Sequence, residues 1–307
     1  MSSWDALRSR LIFQSGIGFL YRQLFMHPPP IAAHVKLSGQ TAIITGSNTG
    51  LGLEAARQLL RLNLSRLILA VRSPAKGNLA ADALRKQFPT PDTIIEVWTL
   101  DMENPASVTA FATKCQTSLD KIDIVLLNAG VQNRDYVVSV QTGKEQTYQV
   151  NFLSTILLAV LILPILVSKG SSAVAGRPPR LTIVTSTTAY FAHFNDKKAI
   201  LTQFDEEYDP KKWYAREKLL QMVLVRRLAE LVSSEDVVIN TVCPGLVGDT
   251  EIWRSLNENA FLRALFKVYF VLFGRSLVEG ASTYVHATVV AGRESHGAFL
   301  SEWGVRP

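Results

Sequence analysis

The chain is poor in the residues that small extracellular or metal-held proteins depend on. It has two cysteines, Cys115 and Cys243, and five histidines in 307 residues. Two thiols build no disulfide framework, and their scarcity fits a reducing, cytoplasmic compartment. The histidines are scattered, with no HExxH and no Cys/His cluster, so no metal is expected. Charge of one sign never accumulates: the net charge is +6 and no long block of like charges occurs. That removes the electrostatic footprint of a nucleic-acid binder. The mild basic excess suits an anionic cofactor or an acidic membrane surface.

Long hydrophobic runs are scarce as well. The run 152–167 is uncharged but shorter than the about 20 residues a spanning helix needs, and it meets Pro164 near its end. It reads as a buried core or interface helix. The run 11–26 contains Gln14, Arg22 and Gln23 and is amphipathic rather than spanning. No small-residue cleavage site follows it, which argues against a secretory signal. It reads as a surface helix packed on the domain, with a peripheral membrane contact through residues 11–26 as the alternative. Pro28, Pro29 and Pro30 end this stretch, so residues 1–35 form an N-terminal amphipathic extension and 36–307 one domain.

What the sequence has in quantity is alternation. Strand-like segments rich in Val, Ile and Leu fall at 41–45, 66–71, 94–100, 123–127, 181–185 and 237–242. Helical spacing falls between them at 50–63, 75–88, 105–119, 148–167 and 213–233. Apolar strands separated by helices imply βαβ units and a parallel sheet covered on both faces. The expected fold class is α/β, a single Rossmann-type doubly wound parallel sheet of about seven strands with helices on both faces. The loop 169–180 is rich in Gly, Ser and Pro and is expected to be exposed.

The first strand–helix junction reads Thr45-Gly46-Ser47-Asn48-Thr49-Gly50-Leu51-Gly52. In that context Gly46 permits a tight turn, Gly50 lets backbone N–H groups approach a pyrophosphate, and Gly52 lets the helix pack on the strand. The helix N-terminus adds partial positive charge. An ordinary glycine-rich turn is the competing reading, and the alternating context decides against it. Gly16 and Gly18 have no strand before them and carry no such meaning. The second strand ends Val71-Arg72-Ser73 without the acid that would bind a ribose 2′-hydroxyl. Arg72, with Lys76 beside it, matches a 2′-phosphate instead, so NADP(H) is favoured over NAD.

YxxxK occurs twice, as Tyr208 to Lys212 and as Tyr214 to Lys218. Pro210 disfavours a continuous helix through the first copy. The second opens a helically spaced stretch, where residues four apart share a face and meet one ligand. A carbonyl that accepts hydride needs a proton. A tyrosine donates it if a neighbouring ammonium lowers its pKa toward the working range. Ser186, just past the fifth strand, is placed to orient the carbonyl oxygen. A loop hydroxyl or helix cap is the alternative for Ser186.

With Asn128-Ala129-Gly130, Asn151, Ser186, the second YxxxK and Pro244-Gly245 in this order, residues 37–307 resemble the short-chain dehydrogenase/reductase family. Phe204 to Glu207, Glu279-Gly280-Ala281 and Gly297 to Ser301 resemble its retinol-dehydrogenase-like branch, and the extension resembles reductases of fungal secondary metabolism. The resemblance implies Tyr214 as general acid or base and Lys218 on the nicotinamide ribose, tuning Tyr214. It implies Ser186 on the substrate oxygen and Asn151 holding a water in a proton relay. Asp101, with Met102, would meet adenine, and Asn128, Ala129 and Gly130 the adenosine side. Pro244, Gly245 and Val247 would pack near nicotinamide, with Thr250 on its carboxamide. Thr185 stands where serine is common, Glu217 replaces a small residue before the lysine, and one extra residue precedes Thr250.

The aromatic segment near 249–274 would form an apolar lid, which favours a bulky lipophilic substrate such as a polyketide or terpenoid. Helix core or a subunit contact is the equal alternative. Tyr190, Phe191, His193 and Phe194 would line the same pocket. The apolar helices at 152–167 and from Trp213 would pair in a homodimer. Two other functions remain open. One is a non-redox enzyme (epimerase, lyase or cyclase) on this scaffold, and the other a non-catalytic NADP-binding regulator.

Overall fold

The structure, a computed structural model, describes residues 15–170, 177–204, 208–248, 270 and 272–306. Seven strands run parallel: β1 (Thr41–Thr45), β2 (Arg66–Val71), β3 (Ile94–Thr99), β4 (Ile124–Leu127), β5 (Arg180–Val184), β6 (Val238–Cys243) and β7 (Phe299–Ser301). An eighth, β8 (Gly304–Arg306), pairs antiparallel with β7 and extends the order to β3-β2-β1-β4-β5-β6-β7-β8. The turn between them places Glu302 and Trp303 at φ 46° and 55°, the left-handed region that hairpins usually give to Gly or Asn. Tertiary contacts hold it: Glu302 pairs with Arg22 at 3.5 Å, and the Trp303 indole donates to Ser282 Oγ at 3.0 Å.

The interior strands are apolar on both faces because both faces are covered. Ile43, Ile68, Val125, Ile183 and Ile239 point to one side. There they meet α4 (Pro105–Ser118), α5 (Gln146–Lys169) and α6 (Pro210–Leu231). Ala42, Ile44, Leu67, Leu69, Ile124 and Leu126 point to the other, against α2 (Gly50–Arg61), α3 (Pro74–Gln87) and α7 (Leu277–Val285). The period-2 alternation thus sorts residues between two cores rather than between core and water.

α5 is long and apolar enough to cross a membrane, but most of it is buried against the sheet and α4. Pro164 does not end it; the helix runs on to Lys169. The carbonyl that a proline at 164 deprives of a partner belongs to Val160, whose side is 48% exposed, so water can satisfy it. Of the loop after α5, Pro178 and Pro179 are buried, not exposed; residues 171–176 lie outside the described residues.

The N-terminal helix α1 (Gly16–Phe25) is capped by Ser15, whose Oγ accepts Gly18 N at 2.9 Å. It packs on the domain, but with its polar side inward. Arg22 and Gln23 are buried while Tyr21 and Phe25 are exposed. Gln23 reads the backbone of Leu246: its Nε2 donates to the Leu246 carbonyl at 2.8 Å and its Oε1 accepts the Leu246 N–H at 3.2 Å.

Candidate active site

At Gly46, after β1, φ is 65° and a Cβ would stand 2.9 Å from Ala129 Cα, so both conformation and space demand glycine. Thr45 Oγ1 accepts the N–H groups of Asn128 and Ala129, each at 2.9 Å. Asn128 Nδ2 donates to the carbonyls of Thr45 at 3.0 Å and Gly46 at 3.2 Å. These bonds stitch the chain after β4 to the turn after β1. The sheet order reverses between those strands, which is where α/β sheets open a ligand crevice.

The helix that starts in this crevice is left uncapped. The N-cap of α2 is Thr49, and its side chain makes no capping bond. Side chains of Ser73, Asn104, Asp209 and Ser276 cap α3, α4, α6 and α7. The leading N–H groups of α2 therefore remain available to an anion. Asn48, Thr49, Gly50, Leu51 and Gly52 line a cavity of about 1450 Å³, above the roughly 300–1,000 Å³ of a one-ligand pocket. Arg72 and Lys76 line the same cavity, and so do Asp101, Met102, Gly130, Pro244, Gly245 and Val247. An uncapped helix behind a glycine turn, and an Arg where an acid would bind ribose, fit a phosphorylated dinucleotide. Ser47 is a correction. Its side chain is fully buried and donates to the Ile44 carbonyl at 2.8 Å; it shapes the turn and does not line the cavity.

The opposite wall carries the reactive side chains. α6 begins with Asp209 accepting the N–H groups of Lys211 and Lys212 at 3.0 and 3.1 Å, and Pro210 takes the first helical position. Tyr208 thus stays outside the helix, its hydroxyl donating to the Asn133 carbonyl at 3.0 Å. Tyr214 and Lys218 stand one turn apart and both line the cavity with Ser186. Lys218 Nζ lies 5.4 Å from the Tyr214 ring centroid and donates to the Val184 carbonyl at 3.0 Å. Thr185 Oγ1 donates to the Lys218 carbonyl at 3.0 Å, which ties α6 to the end of β5.

Burial pushes the Tyr214 phenol above its ordinary value, helped by the neighbouring acidic groups Cys243 and Glu217 to the extent that they ionise and opposed by a hydrogen bond with Ser186. The expected lowering by the ammonium does not prevail. Nζ sits over the ring, and burial outweighs it. Lys218 is itself pushed down by burial, against the pull of Glu217 and Cys243.

Asn151 lies in a π-helical stretch of α5, Gln149–Ser154. Such wide turns often mark functional sites. Its Oδ1 accepts Val131 N at 2.9 Å, and its Nδ2 donates to Val131 O at 2.8 Å and Glu217 Oε2 at 3.1 Å. Its backbone carbonyl accepts Gln221 Nε2 at 2.5 Å.

Other expectations need revision. Of the aromatic cluster after Ser186, Phe191 alone lines the cavity. Tyr190 packs edge-on against Phe299 at 5.9 Å, and Phe194 lies under the Arg216 guanidinium at 5.4 Å. His193 offers its carbonyl to Arg216 at 2.9 Å and is not part of the wall. Thr250 and most of the segment 249–274 lie outside the described residues. Sequence reasoning missed Thr45, Gln23 and Gln221, whose roles rest on contacts with distant backbone that no local pattern announces.

Known proteins similar to this chain were found at the level of family, of whole sequences and of solved structures. A family model described as short chain dehydrogenase matches residues 40–176. The short chain dehydrogenase virL of Hypocrea virens is 44% identical over 293 residues, covering 95% of this chain and 84% of the relative. The short chain dehydrogenase opdN of Penicillium oxalicum is 39% identical over 313 residues, covering 99% of each. Among solved structures, the RhlG/NADP active-site complex of Pseudomonas aeruginosa aligns with a TM-score of 0.65 at 20% identity, covering 88% of this chain and 97% of that one. The E. coli oxidoreductase yciK gives a TM-score of 0.65 at 17% identity, covering 90% and 99%. From this similarity over nearly the whole length, the chain belongs to the short-chain dehydrogenases, oxidoreductases that use a nicotinamide dinucleotide on small molecules.

Proposed function

We propose that this protein uses NADPH to reduce a ketone or aldehyde on a bulky hydrophobic small molecule, in the secondary metabolism of a fungus. One observation carries the reading: Ser186, Tyr214 and Lys218 share one cavity with the glycine turn and the uncapped helix. The fungal origin of the relatives supports the setting. Arg72 at the end of β2 supports the phosphorylated cofactor. The bound dinucleotide supplies the hydride.

The chain's own residues do the rest. The N–H groups of α2 would hold the pyrophosphate, and Arg72 and Lys76 would hold the 2′-phosphate. Ser186 donates a hydrogen bond to the carbonyl oxygen and aligns it. Tyr214 Oη gives that oxygen its proton. A protonated phenol is the form a reduction needs, and burial keeps Tyr214 in that form. Lys218 steadies the phenolate that proton transfer leaves behind. Asn151 joins α5 to the segment after β4 and so fixes the floor beneath Lys218. Val160, Val167 and Val223, each close to half exposed on α5 and α6, support a homodimer through those helices.

The experiment follows NADPH absorbance against a panel of hydrophobic ketones, with Tyr214→Phe beside the wild type. Turnover that disappears in the variant while NADPH still binds is the expected result. Substrate consumed without NADPH oxidation would overturn the redox assignment in favour of a lyase or epimerase. Tight NADPH binding with no turnover on the panel would favour a regulator.

A further inference from the structure

Glu217 has no part in the reaction above, yet it lies at the centre of the machinery. It is completely buried on α6, between Tyr214 and Gln221 on the same face and next to Lys218 in sequence. Other buried carboxyls of the described residues have evident partners. Glu54 is paired with Arg57 and Arg61, and Glu302 with Arg22. Glu145, on the segment leading into α5, accepts Thr147 Oγ1 at 2.9 Å and Tyr148 N at 2.8 Å. Glu217 has one bond, to Asn151 Nδ2 through Oε2, and its Oε1 is buried without a partner. Lys218 does not serve: adjacent helix residues do not face each other, and its Nζ is directed to the Val184 carbonyl.

A second orphan stands one turn on. Gln221 Oε1 is buried without a partner, while its Nε2 is committed to the Asn151 carbonyl. Residues four apart are neighbours on a helix. Both are anchored on Asn151, and each presents one acceptor oxygen that lacks a donor. Each oxygen needs a donor, and one proton shared between these neighbouring side chains resolves both deficits.

We propose that Glu217 is a neutral carboxylic acid in the folded protein, donating its proton to Gln221 Oε1, and that this bridge positions Asn151 and leaves Lys218 as the uncompensated charge beside Tyr214. Its surroundings agree. Burial raises the carboxyl's affinity for its proton and Glu145 adds to the effect, opposed by the Asn151 bond and the Lys218 charge. Tyr208 and Tyr214 also feel Glu217. Were it ionised, it would hold the Tyr214 phenol higher still. As a neutral group it leaves the Lys218 ammonium free to stabilise the phenolate. Glu217 is thus a positioning residue that acts through Asn151 and Lys218. Its place in catalysis rests on the reductase reading, but its protonation does not.

The test is infrared difference spectroscopy on the full chain without cofactor at neutral pH, wild type minus Glu217→Gln. The expected result is a carbonyl-stretch band of a protonated carboxylic acid that shifts when Gln221→Met removes the acceptor. Carboxylate bands alone would overturn the proposal, as would an acid band that ignores Gln221. NADPH binding by fluorescence establishes that each variant is folded. With an active substrate, wild-type kcat/KM should change by about threefold or more across about pH 6 to 9 in a step that Glu217→Gln lacks. Identical profiles would remove the catalytic half while leaving the band, and failure of the reductase reading would leave the band as well.

Discussion

Gly52→Ala tests the geometry of the crevice most sharply. A Cβ at that position would lie 2.6 Å from Asn128 Nδ2, 2.6 Å from the Gly46 carbonyl oxygen and 3.1 Å from Ser47 Cα. None of these is the loose end of a side chain. Asn128 is held by its bonds to Thr45 and Gly46, and the other two atoms are backbone. The first turn of α2 must therefore lift off the turn after β1. Overpacking of this kind costs about 1–3 kcal/mol, and loosening the Asn128 bonds adds about 1 kcal/mol. A loss of roughly 2–4 kcal/mol lowers Tm by on the order of 3–6 °C in a chain of this size. The same lift displaces the N–H groups that face the pyrophosphate, so NADPH affinity should fall by about tenfold or more, at 1.4 kcal/mol per decade. Gly50→Ala is the internal control. Nothing lies within 4 Å of its added Cβ, although its φ is 56°, so it carries a backbone cost of about 1 kcal/mol without the clash. Thermal melts and NADPH fluorescence titrations read both variants. Gly52→Ala with wild-type Tm and affinity, or a larger effect at Gly50, would refute the stacking of α2 on the Asn128 stitch.

Arg72→Ala should weaken NADPH by about 10- to 100-fold through loss of a charge-assisted phosphate contact and leave NADH nearly unchanged; equal losses in paired titrations would remove the 2′-phosphate assignment. Tyr214→Phe should lower kcat by about 10²–10⁴-fold with NADPH affinity retained, and a variant that keeps wild-type kcat would disqualify the phenol as proton donor. The Glu217 carboxyl is held up by burial, so it contributes stability that is full below its unfolded pKa and is lost as pH rises through its folded value. The Tm of Glu217→Gln relative to wild type should therefore climb between about pH 5 and pH 8, and a constant difference in melts at the two pH values would contradict this. Cys115 is buried and its thiol is pushed up to about 12. Cys243 is buried and raised as well. A thiol reagent should label neither until the chain is denatured, and rapid labelling of the native protein would show that the core is open.

Much of the sheet was legible because its information is local. The runs at 41–45 and 66–71 are β1 and β2 to the residue, since an apolar strand between glycine and helix signals has few alternatives. β7 and β8 were not seen individually because each has three residues, too few to display a period. The start of α6 was placed one turn late. Pro210 was read as a break between Tyr208 and Lys212, whereas after the capping Asp209 it occupies the one turn where proline is welcome. The glycine turn and the second YxxxK were legible as patterns. What no pattern carries is direction. α1 was read as an amphipathic helix with no hint that Arg22 and Gln23 face inward, because their partners, Glu302 and Leu246, lie more than two hundred residues away. Ser47 looked like its neighbours in the motif until its hydroxyl was found against Ile44.

The grip of Gln23 on Leu246 has a consequence for how the protein is made. That contact is flanked by Arg22 on Glu302 and by Arg306 against Met26 Sδ at 3.9 Å, so a helix made early rests on residues made more than two hundred positions later. Until those residues are made, α1 lacks these partners, and the backbone just past Pro244-Gly245 lacks its brace. A nascent chain can build its glycine turn early, but the nicotinamide side of the crevice gains this brace only after residues 246–306 have been made.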